Sequence, residues 1–274
     1  MGAFDWGLLL SGSGPFYIGI LNITPDSFSD GGRFTDPRAA LEQGRALVEA
    51  GAGMLDVGAE STRPGAAPVA AEEEWRRLEP VLTLLRKELP STPLSVDSRR
   101  PWTAAKALEI GVEVLNDVTG FADPAMLSLA RAHGCGLIAM RSRSLDGELW
   151  MPSYDGPGSI QAGPAVLELK GVKQRLLDAG IAPARILLDP GFGFGTTFVE
   201  DRALWEALSD LPALLEWPAQ RFCLGVSRKR FVARKFAEDS ALPAAARDPA
   251  TVLAHSEAMA VGFRVFRTHR VGTA

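Results

Sequence analysis

The sequence predicts an α/β fold, a (β/α)8 TIM barrel with its eighth helix missing. Three observations lead there. The chain has 274 residues, close to the ~250 of one such barrel. Short apolar runs alternate with helical patterns along its length. The runs are apolar throughout, the pattern of parallel strands covered on both faces. A doubly wound open sheet is the second arrangement this order allows. No linker divides the chain, so residues 1–274 are expected to form one domain.

The strand-like runs are Phe16–Ile23, Met54–Val57, Leu94–Val96, Val112–Leu115, Gly136–Met140, Arg185–Leu188, Phe222–Val226 and Phe263–Phe266. Helical patterns fill the gaps at Pro37–Ala50, Glu72–Leu89, Pro101–Ile110, Pro124–Ala132, Ala165–Ala179, Asp201–Leu211 and Pro249–Val261. Three helices open on Asp-Pro (Asp36-Pro37, Asp123-Pro124 and Asp248-Pro249), a cap followed by proline in the first turn. Few residues follow the eighth run, too few for another helix. The outer faces of strands eight and one would then lie partly bare. Large exposed apolar patches are rare, so Met1–Pro15 or a second subunit is expected to cover them.

Composition excludes several classes. The formal net charge is −4, which argues against nonspecific nucleic-acid binding. Two cysteines, Cys135 and Cys223, rule out a disulfide scaffold and are expected to be buried and inert. Three histidines make a His-cluster metal site an unpromising reading. No apolar run reaches the ~20 residues of a membrane span, and no basic residue precedes Arg33 as in a signal peptide. A soluble, cytoplasmic protein is expected.

In such barrels the chemistry sits at the C-terminal ends of the strands. Standing there are Asn22, Asp56, Asp97, Asn116, Met140 with Arg141, Asp189, Ser227 with Arg228 and Lys229, and Arg267 with His269. One polar strand end is an ordinary turn residue; this many on one rim form a site. Asp97, Asn116 and Asp189 suit a heterocycle rich in N–H groups. Asn22, Lys229, Arg267 and His269 suit an anion such as a phosphate. The substrate is read as a polar heterocycle joined to phosphate. Two long loops, Thr24–Gly32 and Glu60–Gly65, flank this rim. Carboxylates beside a phosphate site suggest Mg²⁺, which keeps waters and takes one or two protein ligands. Asp189–Gly195 lacks the Gly-Lys-Ser/Thr of a P-loop; its glycines are expected to bring backbone close to a flat ring.

The segments GILNITPDSFSDGG (19–32), DVGAESTRPGA (56–66), SVDS (95–98), LND (115–117), LLDPGFGFG (187–195), GVSRK (225–229) and RTH (267–269) closely resemble the dihydropteroate synthase family, in its order and across almost the whole barrel. The resemblance implies condensation of 6-hydroxymethyl-7,8-dihydropterin pyrophosphate with p-aminobenzoate, a folate-biosynthesis step. It implies that Asp97, Asn116, Met140, Asp189 and Lys229 hold the pterin, and that Asn22, Thr62, Arg267 and His269 hold the pyrophosphate. Phe28, Arg63, Pro64 and Phe194 would meet p-aminobenzoate, and Asn22 and Asp26 would meet Mg²⁺. Asp97, Lys229, Arg267 and His269 are the implied catalytic residues. A homodimer is implied as well.

The chain departs from the family pattern at Thr196 (usually Lys), Arg230 (usually Ser or Thr), Arg141 (usually His) and Arg270 (usually Asp). Two alternatives therefore stand beside the synthase: a methyltetrahydrofolate methyltransferase of the same barrel group, and a non-catalytic pterin-binding homologue. The former would not need the Ser-Thr-Arg-Pro loop or the strand-eight Arg and His, all of which are present.

Overall fold

The computed structural model describes residues 3–23, 36–60, 69–145, 148–150, 152–237, 239 and 241–272. Eight parallel strands form the sheet: β1 Phe16–Asn22, β2 Ala52–Gly58, β3 Leu94–Asp97, β4 Val114–Asp117, β5 Gly136–Met140, β6 Ile186–Asp189, β7 Cys223–Leu224 and β8 Val265–Thr268. Neighbours run in chain order from β1 to β6, and β8 lies between β1 and β7. A bridge from Leu188 to Phe222 brings β7 against β6. The ring is thus a nearly closed barrel, and the open-sheet alternative is excluded.

All strands but β5 differ from the sequence reading at one end or both, and two of the differences bear on the site. Val112 belongs to a helix end, because its N–H donates to the Ala107 carbonyl, so β4 begins at Val114. The last strand extends to Thr268, which puts Arg267 inside β8 instead of after it.

The connecting helices are α1 Pro37–Glu49, α2 Ala71–Glu88, α3 Pro101–Ile110, α4 Pro124–His133, α5 Gly163–Asp178, α6 Phe198–Glu206 and α7 Asp248–Ala260. Asp36 and Asp123 cap α1 and α4 as expected, accepting from the N–H of Arg38 and Ala125 at 2.9 and 2.8 Å. Asp248 does not act as a cap. It is the first residue of α7, and its carboxylate takes both prongs of Arg228 at 2.6 and 2.9 Å. Helix α6 starts earlier than Asp201 because Thr197 and Glu200 form a reciprocal capping box. It stops at Glu206, and a separate short helix follows at Leu211–Leu215.

The described part of the N-terminal segment, residues 3–15, does not cover the outside of strands eight and one. It plugs the bottom of the barrel. Trp6 is wholly buried against Ile18, Met54, Val114, Ile138, Leu187, Cys223 and Val265. Its indole N–H donates to the Arg185 carbonyl at 3.0 Å. The outer face of β8 is covered by α7 instead: Phe266 and Thr268 are buried, and the His255 ring packs on Phe266 at 4.3 Å. Cys135 and Cys223 are buried free thiols, as expected.

The alternation of side chains along a strand sets up the site. Residues around the plug are the apolar interior layer. Two residues further along the same strands, the interior-facing positions are Asp56, Asn116, Met140, Asp189 and Arg267. One pleat therefore carries the barrel interior from hydrocarbon to charge. Asp97 joins this layer, paired with Asn116 in the β3–β4 register.

Candidate active site

One half of the upper layer is a charged knot. Arg267 donates from Nε to Asp56 Oδ2 at 2.6 Å and from Nη2 to Asp97 Oδ2 at 2.5 Å. Asn116 Nδ2 donates to the same Asp56 oxygen at 2.9 Å. Asp56 is wholly buried, and its Oδ1 has no hydrogen-bond partner among the described residues. Burial pushes the Asp97 carboxyl up to about 7; Arg267 opposes the rise, and the Asp56, Glu74 and Asp117 carboxylates add to it. A quarter of the Asp97 side chain still faces the rim. A site with carboxylate acceptors at its base suits a ligand that offers several N–H donors.

The other half is built on the segment after β6. Asp189 ends that strand, buried, with Oδ1 accepting from the Gly191 N–H at 2.8 Å. Burial raises its pKa while Lys229 pulls it down. Lys229 Nζ donates to the Phe192 carbonyl at 2.5 Å and lies 4.4 Å from the centre of the Phe194 ring. Burial lowers the Lys229 ammonium to about 8, against the pull of Asp189 and Asp201. Met140 is buried beside Asp189 in the β5–β6 register.

Two glycines of this segment, Gly191 and Gly195, lie where the segment packs tightly against protein, while a Cβ on Gly193 would meet only the Lys229 side chain at 3.6 Å. Gly191 has φ of 72°, and a Cβ there would sit 1.8 Å from the Arg141 carbonyl. Gly195 has φ of 70°, and a Cβ there would sit 2.6 Å from Arg143 Cβ and 3.0 Å from its backbone nitrogen. Only glycine fits such a left-handed, backbone-to-backbone contact.

On the rim where β1 pairs with β8, Asn22 ends β1, half-buried. His269 follows β8; its Nδ1 lies 3.1 Å from Ser227 Oγ, and its backbone N–H donates to the same oxygen at 3.2 Å. The structure thus brings together Asp97, Asn116, Met140, Asp189, Lys229 and Arg267, with Phe194 beside Lys229. Asp26, Phe28, Thr62, Arg63 and Pro64 lie outside the described residues. Two residues of the site were not given a role by sequence reasoning. Asp56 was legible only as a polar strand end, and Ser227 only as a neighbour of Lys229.

Similarity to known proteins decides the family. The family model described as pterin binding enzyme matches residues 18–269. The chain belongs to the pterin-binding enzyme family. It is 38% identical to a dihydropteroate synthase of Neisseria meningitidis serogroup C over 274 residues, covering 98% of this chain and 91% of that one. The structure of Xanthomonas albilineans dihydropteroate synthase with 4-aminobenzoic acid superposes with a TM-score of 0.81 at 34% identity, covering 94% and 89% of the two chains. The same enzyme in complex with 7,8-dihydropteroate gives a TM-score of 0.77 at 32% identity, with 94% and 89% covered.

The places where this pterin-binding chain departs from the pattern now have structural explanations. Thr196 is buried and donates to Asp201 Oδ1 at 2.7 Å, while Tyr154 donates to Asp201 Oδ2 at 3.0 Å. Arg230 stacks its guanidinium 4.4 Å from the Tyr154 ring centre. Arg141 is buried under the Asp189–Gly195 segment. Arg270 is exposed; its backbone carbonyl accepts from the Thr268 hydroxyl at 2.9 Å, and its backbone N–H donates to the same hydroxyl at 3.4 Å.

No group of three or more His, Cys, Asp or Glu among the described residues could hold a metal ion. Mg²⁺ asks for less, since one or two oxygen ligands suffice when substrate phosphates supply others. The Asn22 amide oxygen at the rim is a hard donor of that kind.

Proposed function

We propose that this chain joins 6-hydroxymethyl-7,8-dihydropterin pyrophosphate to p-aminobenzoate, releasing pyrophosphate and forming 7,8-dihydropteroate. It is a dihydropteroate synthase, a transferase of folate biosynthesis. The observation that carries this reading is the polar layer of Asp56, Asp97, Asn116 and Asp189, with Arg267 and Lys229 in the same ring, in a chain of this family.

Asp97, Asn116 and Asp189 accept from and donate to the edge of the pterin, and Met140 packs on its face. Lys229 adds a cation at the pterin carbonyl side. Arg267 and His269, with Asn22 and Thr62, hold the pyrophosphate. Ser227 fixes the His269 ring. The bond from the pterin CH₂ to the pyrophosphate oxygen breaks, and its electron pair leaves with pyrophosphate. Positive charge then spreads into the electron-rich ring, where the Asp97 carboxylate favours it. The neutral arylamine nitrogen forms the new C–N bond and gives its proton to solvent, so no covalent enzyme intermediate forms. Phe28, Arg63, Pro64 and Phe194 position the amine and exclude water. Asn22 and Asp26 would hold Mg²⁺, which when bound stabilises charge on the leaving pyrophosphate.

We also propose a homodimer. Leu253 and Met259 are exposed on α7, the outer helix nearest the C-terminal strand. No described helix is long and apolar enough to cross a membrane, and the small polar substrates fit a cytoplasmic site.

Mass spectrometry of a reaction with both substrates and Mg²⁺ tests the activity. A 7,8-dihydropteroate product supports it. Pterin binding without any product would make the chain a non-catalytic pterin binder.

A further inference from the structure

Arg141 follows β5 and is 1% exposed, although it carries a full charge. Its donors are spent on one short run of backbone. The Arg141 backbone N–H donates to the Asp189 carbonyl at 3.0 Å. Its Nε donates to the Pro190 carbonyl at 2.7 Å, and Nη2 to the Gly191 carbonyl at 2.8 Å. Three successive carbonyls, starting at the pterin-side carboxylate residue, are thus held by a single residue. The contact is reciprocal, since the Gly191 backbone presses on the Arg141 carbonyl so closely that no Cβ fits.

The remaining prong points outward. Arg141 Nη1 pairs with Glu168 Oε2 on α5 at 2.9 Å. The other Glu168 oxygen takes Arg143 Nε at 2.7 Å, and Arg143 Nη1 reaches the Gly195 carbonyl at 2.9 Å. One carboxylate therefore ties two guanidiniums, which hold the segment at both of its ends. Between those ends lies the Phe192 carbonyl that receives the Lys229 ammonium.

We infer that Arg141, braced by Glu168, is a positioning residue for pterin recognition: it sets the height of Asp189 and of the Phe192 carbonyl that orients Lys229. The inference rests on the synthase reading above, because Asp189 and Lys229 matter only where a pterin is bound. The planar fork is what the geometry requires. Lysine has one donor centre on a flexible stem and cannot serve Pro190, Gly191 and Glu168 together. The buried carbonyls would lose their partners in an apolar variant.

The test measures 6-hydroxymethyl-7,8-dihydropterin affinity by calorimetry and steady-state kinetics in the full chain, in Arg141→Met, Arg141→Lys and Glu168→Gln. Arg141→Met is expected to weaken pterin binding about tenfold or more, with the KM for p-aminobenzoate within about twofold. Its alkaline limb in kcat/KM moves to higher pH, because the charges of Arg267 and Arg141 add to burial in holding Lys229 down, against Asp189 and Asp201. Arg141→Lys keeps the charge and the limb but recovers only part of the affinity. Glu168→Gln, which leaves every residue of the pterin site in place, weakens pterin binding in the same direction to a smaller extent. If Arg141→Met does not fold, Arg141→Lys and Glu168→Gln carry the same comparison. Folded variants with unchanged pterin affinity overturn the inference alone. A wild-type chain that binds no pterin overturns the reading beneath it.

Discussion

Arg267 meets Asp97 at 2.5 Å across the barrel mouth, donating from Nη2 to Oδ2. The same guanidinium reaches Asp56 at 2.6 Å. In the proposed reaction it would cover the carboxylate edge that accepts from pterin N–H groups, and a bound substrate would share or take over those acceptors. Under that reading a single side chain couples the leaving-group side of the site to the pterin side.

Replacing Arg267 by Ala is expected to remove the contact to the leaving group while freeing the carboxylate acceptors on the pterin side. The kcat/KM for the pyrophosphate substrate should fall roughly 100-fold, as for loss of about two charge-assisted hydrogen bonds. Binding of the pterin alcohol, which has no pyrophosphate, should change much less, since its acceptors are freed as the arginine is lost. Calorimetry with the alcohol beside kinetics with the pyrophosphate checks the split. Equal losses in both would place Arg267 wholly on the pterin.

The pH dependence follows from the two shifted groups. Asp97 is held up to about 7 by burial and must be ionised to accept from the pterin and favour the developing cation. Activity should therefore rise with pH through about 7. Lys229 is held down to about 8 by burial and loses its charge above that value, so activity should decline again. The profile of kcat/KM, which reports the free enzyme, is expected to be a narrow bell. Asp97→Asn should lower kcat by roughly 10- to 100-fold and remove the acid limb. A persisting limb near 7 in that variant would assign it to another group.

Much of the fold was readable because most strands are short apolar runs with a polar residue at or near the C-terminal end. Asp97, Asn116 and Asp189 followed from that pattern and from their matching segments. The pairing of Asp56 with Arg267 did not, because the two are 211 residues apart and meet only when β8 closes beside β1. Asp248 looked like Asp36 and Asp123 in sequence, yet its carboxylate went to Arg228. An Asp-Pro pair marks a helix start but not which partner its side chain takes. The role of Arg141 was hidden for a similar reason: its partners are main-chain carbonyls, which every sequence offers.

The bottom of the barrel should affect stability and not catalysis. Trp6 fills the lower mouth, wholly buried against the apolar layer that lies beneath the charged one. Trp6→Ala is expected to cost about 3–5 kcal/mol, the usual range for truncating a buried aromatic. Urea denaturation followed by circular dichroism measures it. KM values for both substrates in the folded variant should stay within about twofold of wild type. A large KM change would mean that the plug is transmitted to the upper layer.

Transfer of the pterin to an arylamine at the charged layer can be followed as pyrophosphate release from 6-hydroxymethyl-7,8-dihydropterin pyrophosphate, with Mg²⁺ and with or without p-aminobenzoate. Release is expected to depend on p-aminobenzoate and to match the dihydropteroate formed. Measurable pterin binding with no p-aminobenzoate-dependent release would contradict the synthase reading.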